Sequence, residues 1–305
     1  MLLKKTLTLL RSMSRPQVCI KHSLIHTVVM LRHGESLWNV ENRFTGWYDV
    51  PLTEAGKREA VDAGALIGER GLKFDVAFTS NLERAWKTCA LTLNAAGQPD
   101  VETIRSSKLN ERHYGALQGH LKDSQAIINA YGEDTVVEWR RSYSISPPAT
   151  DNLEFLQKVG LPDTSMIILN SFLKKYSCHS NDNIDDDDTP KTESLKLCEE
   201  RAFGYWKEVI APRVASGERV LIVAHANTIR ALVKAVDKIQ DQDIAHLKIP
   251  NGIPLIYTMD ENLQPYDNDA NSVSNDDIGF QANYLVSAKN HSKVKYIHTC
   301  MPALN

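Results

Sequence analysis

Apolar residues occur along the chain in short runs, separated by stretches whose apolar positions recur at helical spacing. Residues 27–32, TVVMLR, are apolar almost throughout, as in a strand covered on both faces. Residues 33–52 lose that pattern and read as an irregular loop containing glycines and aromatics. Thr53 is suited to cap a helix on which Ala60, Ala63 and Ile67 recur and which closes near Gly71. FDVAFTS, 74–80, predicts a second short strand, and 81–96 a helix with Leu82, Trp86, Cys89 and Leu93 on one face. Thr192 is placed to cap a further helix carrying Leu195, Cys198, Ala202 and Val209. SGERVLIVAH, 216–225, reads as a turn and a strand. Residues 227–239 read as a helix with Ile229, Leu232, Val233 and Val236 inward, and IPLIYTM, 253–259, as a late strand.

Strands alternating with helices predict an α/β fold, a three-layer sandwich whose mostly parallel central sheet carries helices on both faces. Ligands of such sheets bind beyond the carboxyl ends of the strands. Two of these strands run into a histidine, His33 and His225, which points to one site facing both ends. Residues 146–191 fit the alternation poorly and read as an excursion with one short helix around 166–176. Its aspartate run at 185–188 lacks the glycine and final glutamate of a calcium loop and reads as a solvated segment. The organisation expected is a leader over 1–26, a catalytic domain over 27–260 and a polar tail over 261–305.

Composition narrows the function. A chain of 305 residues, 42% hydrophobic, has enough apolar material for a sizeable core. A net charge of -3 argues against a globally basic nucleic-acid binder, and no apolar run has the ~18 residues of a membrane span. The cysteines, 19, 89, 178, 198 and 300, are odd in number, dispersed and without zinc-ligand spacing, which fits a reducing compartment and no metal. Cys89 and Cys198 fall on apolar stripes and read as packing residues. Before the first acidic residue, Glu35, come Lys4, Lys5, Arg11, Arg15 and Lys21 among serines, threonines and leucines. That is the composition of an organelle transit peptide, mitochondrial ahead of plastid. The alternative is a cytoplasmic chain with a disordered extension, translated from Met13.

The candidate chemistry begins at Arg32, His33 and Gly34. An imidazole beside a guanidinium can accept a phosphoryl group while the cation neutralises the equatorial oxygens. Gly34 would let backbone amides approach a phosphate. Arg84 stands near a helix start, Glu111, Arg112, His113, Tyr114 and Lys122 crowd one short stretch, and Arg140 and Arg141 follow in EWRRSY. Arginines strung along the loops of a net-acidic chain suggest an anionic substrate. A carboxylate among them, Glu111, suits a proton shuttle to a hydroxyl.

LRHGESLWNVENRFTGWYDVPLTEAGKREA, TSNLERAWKT, LNERHYGALQG, WRRSY and HANTIRALV together resemble the cofactor-dependent phosphoglycerate mutases of the histidine phosphatase superfamily, over roughly 27–146 and 190–260. RHG alone indicates the superfamily; FTGWYDV with NERHYG points to the glycolytic mutase branch. The resemblance implies interconversion of 3- and 2-phosphoglycerate through a phosphohistidine, primed by 2,3-bisphosphoglycerate, without metal, in a dimer or tetramer. It implies that His33 carries the phosphoryl group, that Glu111 donates the proton and that His225 stands beside the transfer. It implies that Arg32, Asn39, Arg84 and Asn227 bind phosphate. Ser36, Thr45, Gly46, Arg112, Tyr114, Lys122, Arg140, Arg141 and Ala226 would complete the substrate site.

The chain also departs from the family. Ala226 stands where the family usually has glycine after the second histidine, and its methyl group could crowd a backbone contact with ligand. The 146–191 segment is longer than the family's and lacks its Asp-Pro-Arg-Tyr-like element. The tail pattern is poorly matched beyond Tyr257, and a weak tail would favour hydrolytic leakage. A histidine-type phosphatase and a bisphosphoglycerate mutase are the alternatives within enzymes. A non-catalytic binding protein on this fold is the alternative outside them; it would have lost His33, His225 or Glu111, and all three are present.

Overall fold

The computed structural model describes residues 25–160, 189–265 and 280–285. Residues 1–24 of the leader expected over 1–26, the short helix expected at 166–176 and the aspartate run at 185–188 lie outside the described residues, and His26 already belongs to the first strand. Six strands form one sheet: β1 (His26–Arg32), β2 (Val76–Thr79), β3 (Glu102–Arg105), β4 (Val220–Ala224), β5 (Pro254–Met259) and β6 (Asn283–Tyr284), in the order β3-β2-β4-β1-β5-β6. The first four in that order are parallel; β5 and β6 add an antiparallel edge.

Alternation along the strands sends each face into its own core. Val28 and Met30 of β1 join Val220 and Ile222 of β4 beneath α7 (Leu195–Tyr205) and α9 (Ala226–Asp237). Val29 and Leu31 join Leu221 and Val223 beneath α2 (Glu54–Glu69) and α3 (Glu83–Ala95). Full burial of such an aliphatic side chain contributes about 1.5–3 kcal/mol, so β1 and β4, buried on both faces, set the position of everything that follows them. The chain between these elements forms α1 (Leu37–Val40), which opens the first loop, and α4 (Gln125–Tyr131), α5 (Glu133–Arg141) and α6 (Leu153–Val159). The last three gather around a separate cluster of Phe44, Leu117, Ile127, Val136, Trp139 and Phe155. Among the described residues no helix is long and apolar enough to cross a membrane.

Several local expectations change in the fold. Thr53 does cap α2, its hydroxyl accepting from Gly56 N at 3.0 Å. The cap of α7 is Ser194, accepting from Leu197 N at 3.2 Å, whereas Thr192 donates its hydroxyl to Pro147 O at 2.8 Å. Val209 is exposed because α7 runs through a π turn, Trp206–Ile210, before α8 (Ala211–Ala215); the wider turn advances the register and buries Ile210 instead. Trp86 is half-buried rather than inward. The buried stripe of α3 is Ala85, Thr88, Cys89, Thr92 and Leu93, small enough for α2 to approach, and a Cβ on Gly64 would lie 2.2 Å from Thr92 O. The indole turns outward against the Arg105 guanidinium, 4.2 Å away. Within 261–305, where the sequence suggests a tail, β6 pairs with β5 and buries Phe280, Ala282 and Leu285.

Candidate active site

β1 and β4 are parallel neighbours in register Arg32↔Ala224, so the residues that follow them, His33 and His225, emerge side by side. Their ring centroids are 5.0 Å apart, and both side chains are buried. His33 Nδ1 lies 2.7 Å from Gly34 O, and since a carbonyl only accepts, that nitrogen carries the hydrogen and Nε2 holds the lone pair. His225 caps α9, with Nε2 2.8 Å from Ser80 Oγ. Its Nδ1 has no partner among the described residues. Burial, then the charges of Arg84 and Arg32, hold His33 well below the usual imidazole value. Burial, Arg84 and His33 do the same to His225. Both rings are therefore neutral near pH 7, as a nucleophile and its neighbour need to be.

The cations are placed by backbone carbonyls. Arg32 Nη1 donates to Ile249 O at 2.7 Å, and its Nε is buried without a partner among the described residues. Arg84, buried, donates to Tyr48 O and Gly46 O at 2.8 Å each, which ties the first loop to the start of α3. Gly46 has φ +54°, and a Cβ there would collide with Gln118. Gly34 serves differently from the sequence reading. Its N–H donates to Thr88 Oγ1 at 3.1 Å, and its bare Cα admits Gly56, whose carbonyl would lie 2.1 Å from a Cβ. The glycine thus brings α2 against the site.

Glu111 follows the short 3-10 turn Ser107–Leu109. Its Oε1 accepts from Arg112 N at 2.8 Å and from Asn227 N, in the first turn of α9, at 3.2 Å. Asn227 Nδ2 donates to Tyr114 Oη at 3.1 Å. Burial raises the Tyr114 phenol, but Arg112, 4.3 Å from its ring centroid, and Lys122 outweigh it and hold the group below its usual value.

These parts open on a cavity of ≈ 250 Å³ lined by Arg32, Asn39, Arg43, Phe44, Thr45, Gly46, Glu111, Tyr114, Lys122, Arg140, Arg141, Ala226, Asn227 and Arg230. The structure thus brings together most of the residues singled out in the sequence. His33 and His225 adjoin the lining through Arg32 and Ala226. Arg84 lies beside the two imidazoles, the charge that acts most on both, and Arg112 stands behind the lining, donating to Trp139 O and Arg140 O at 3.2 and 3.3 Å. Ser36 does not line the cavity: its N–H and hydroxyl both go to Asn39 Oδ1, at 3.1 and 3.0 Å, starting α1 and leaving the Asn39 amide to face the cavity.

Arg43 and Arg230 are lining cations that sequence reasoning passed over. Arg230 donates to Leu247 O at 2.9 Å and to Asn227 Oδ1 at 2.7 Å. It lies one helical turn beyond Asn227, and that i,i+3 spacing was the available signal. Among the described residues no cluster of His, Cys, Asp or Glu has the arrangement of a metal site.

Comparison with known proteins agrees with this geometry. The model of the histidine phosphatase superfamily (branch 1) matches residues 28–159 and 165–264. A phosphoglycerate mutase of Candida albicans is 45% identical over 238 residues, 78% of this chain and 88% of the relative. Among solved structures, Bacillus stearothermophilus YhfR superposes with a TM-score of 0.57 at 20% identity, over 81% of this chain and 98% of that one. A phosphoglycerate mutase from Bacillus anthracis gives 0.50 at 22% identity, over 77% and 89%. A mycobacterial glucosyl-3-phosphoglycerate phosphatase in complex with inorganic phosphate gives 0.56 at 21% identity, over 86% and 100%. At such identities these structures speak to the fold alone; the family match and the Candida relative show that this chain belongs to the histidine phosphatase superfamily.

Proposed function

We propose that this chain is a phosphoglycerate mutase that moves a phosphoryl group between the 2- and 3-hydroxyls of glycerate through a phosphohistidine at His33. The observation that carries this reading is the pair of buried neutral imidazoles at adjacent strand ends, beside a cation-lined cavity whose wall includes the Glu111 carboxylate. With His33 phosphorylated, the free hydroxyl of the substrate attacks phosphorus, the N–P bond breaks, and Glu111 takes the hydroxyl proton. In the return step His33 Nε2 attacks the other phosphoryl group as its ester P–O bond breaks, and the departing alkoxide oxygen takes the proton back from the Glu111 carboxyl. Arg32 and Arg84 neutralise charge on the equatorial oxygens throughout.

When bound, 2,3-bisphosphoglycerate supplies the phosphoryl group that loads His33. Two buried donors without a protein partner among the described residues, Arg32 Nε and an N–H on His225 Nδ1 in the tautomer that accepts from Ser80, suit one phosphate. Lys122, Arg140, Arg141 and Arg230 suit the second phosphate and the carboxylate.

The deciding experiment measures 2-phosphoglycerate formation from 3-phosphoglycerate, coupled to enolase, with and without 2,3-bisphosphoglycerate. Inorganic phosphate is followed in parallel and His33→Ala serves as control. Stimulated isomerisation that vanishes in the variant supports the mutase. Phosphate release without isomerisation replaces it by a phosphatase on the same machinery. Silence in both channels sinks the catalytic reading.

A further inference from the structure

Glu111 occupies a stretch with little regular structure, yet a proton donor must be held to within a fraction of an ångström. The partners of residues 107–113 show how. Arg201, projecting from α7, gives Nη1 hydrogen bonds to Ser107 O (3.2 Å), Lys108 O (2.9 Å) and Asn110 O (3.1 Å), and an Nη2 bond to Glu111 O (3.3 Å). Its other edge forms a fork with Glu193, Nε to Oε1 at 2.7 Å and Nη2 to Oε2 at 2.8 Å. Glu193 Oε2 also accepts from His113 N at 2.8 Å, and Glu193 N donates to His113 O at 2.8 Å. Trp47 Nε1 donates to Glu111 O at 2.6 Å, and Thr228 Oγ1, from α9, to Asn110 O at 2.7 Å. One guanidinium therefore grips four carbonyls of the segment before and at Glu111, while its carboxylate partner grips the peptide after it.

We propose that Arg201, aligned by Glu193, is a positioning residue that fixes the Glu111 carboxyl for proton transfer to the substrate oxygen. Neither residue lines the cavity, so the effect passes through the 107–113 backbone. A planar five-donor fork is needed to reach four carbonyls and a carboxylate at once, and a lysine keeps the charge without that reach. The proposal rests on the proton-shuttle role assigned above to Glu111.

The test is Arg201→Lys in the full chain, read in two ways. The first is the carboxyl ¹³C chemical shift of Glu111, assigned by its loss in Glu111→Gln. The second is steady-state turnover of 3-phosphoglycerate. The expected result is a displaced Glu111 resonance with kcat down about 10- to 100-fold, the scale of a mispositioned general acid, and KM within about twofold. Ile67→Val, a core truncation on the opposite face of the sheet, leaves both readings unchanged. Should Arg201→Lys fail to fold, Thr228→Val, which removes the strap to Asn110 O, gives a smaller displacement and a smaller kcat loss. An unmoved Glu111 resonance in folded Arg201→Lys, or in Thr228→Val where only that variant folds, overturns the proposal, as does an equal response in Ile67→Val. A displaced resonance with an inactive wild type would leave the positioning intact and retire the mutase reading instead.

Discussion

The inner and outer parts of the site are built in different ways. The inner part consists of His33, His225, Arg32, Arg84 and Glu111, held at strand ends, helix starts and a strapped loop, and their partners are mostly backbone groups. The outer part consists of Lys122, on the loop before α4, and of Arg140 and Arg141, at the end of α5. Their side chains make no ion pair among the described residues, and they stand on a small separate core. A phosphoryl-transfer centre tolerates little displacement, because charge must already be in place as the bond breaks. A cationic rim meets a whole substrate and can exchange partners with solvent. The difference separates residues expected to set kcat from residues expected to set KM.

Removing the nucleophile should have the largest effect: His33→Ala is expected to lower phosphoryl transfer roughly 10⁴-fold or more and abolish ³²P-labelling of the protein. Glu111→Gln should cost kcat about 10²- to 10³-fold, read in the same assay, with fold and substrate affinity retained. In the rim, Arg140→Met should raise KM about tenfold or more, the worth of a charge-assisted contact, and leave kcat within a few-fold. If kcat collapses instead, inner and outer parts are not separable.

Phe155→Ala removes the centre of the outer core, where Phe155 meets Tyr131, Trp139 and His120. It should loosen α4–α6 and raise KM several-fold before it lowers the main unfolding transition, a pairing that activity and circular dichroism can follow together.

The smallest effect concerns pH. Burial pushes His113 and His120 down to about 4, and His33 and His225 also lie well below the usual imidazole value. A folded value below the unfolded one means that the unfolded chain binds more protons as pH falls. Stability is thus full above about 6.5 and declines between about 6.5 and 4, by up to roughly 1 kcal/mol per pH unit for each ring. Asp237, pushed up to about 7 by burial, works the opposite way. The urea midpoint of wild type should therefore be compared with that of His120→Gln; a smaller acid-side loss in the variant is the expected sign, and identical slopes would exclude His120.

The parts of the site visible in the sequence are those anchored to strong periodic signals. Arg32 and His33 end an apolar run, Asn227 begins an amphipathic helix, and Arg84 stands near the start of another, so pattern places them. Arg43, Glu193 and Arg201 carry no such mark, and Arg230 has only its i,i+3 spacing from Asn227. Each is a charged residue on a loop or helix face, and only its partners distinguish it from a solvated one. The same reason hid β3, whose ETIR is mostly exposed at the sheet edge, and β6, whose two residues pair with β5 across a long separation.

Local chemistry along the chain determined that buried strands exist, that two of them stop at histidines, and that the loops between supply cations and one well-placed carboxylate. Tertiary structure decided the order β3-β2-β4-β1-β5-β6, and it is the adjacency of β4 and β1 that brings the imidazoles to 5.0 Å. It also decided which arginine faces the cavity and which braces the backbone. A guanidinium carries the same charge in either place; the carbonyls that meet it, distant in sequence, determine its role.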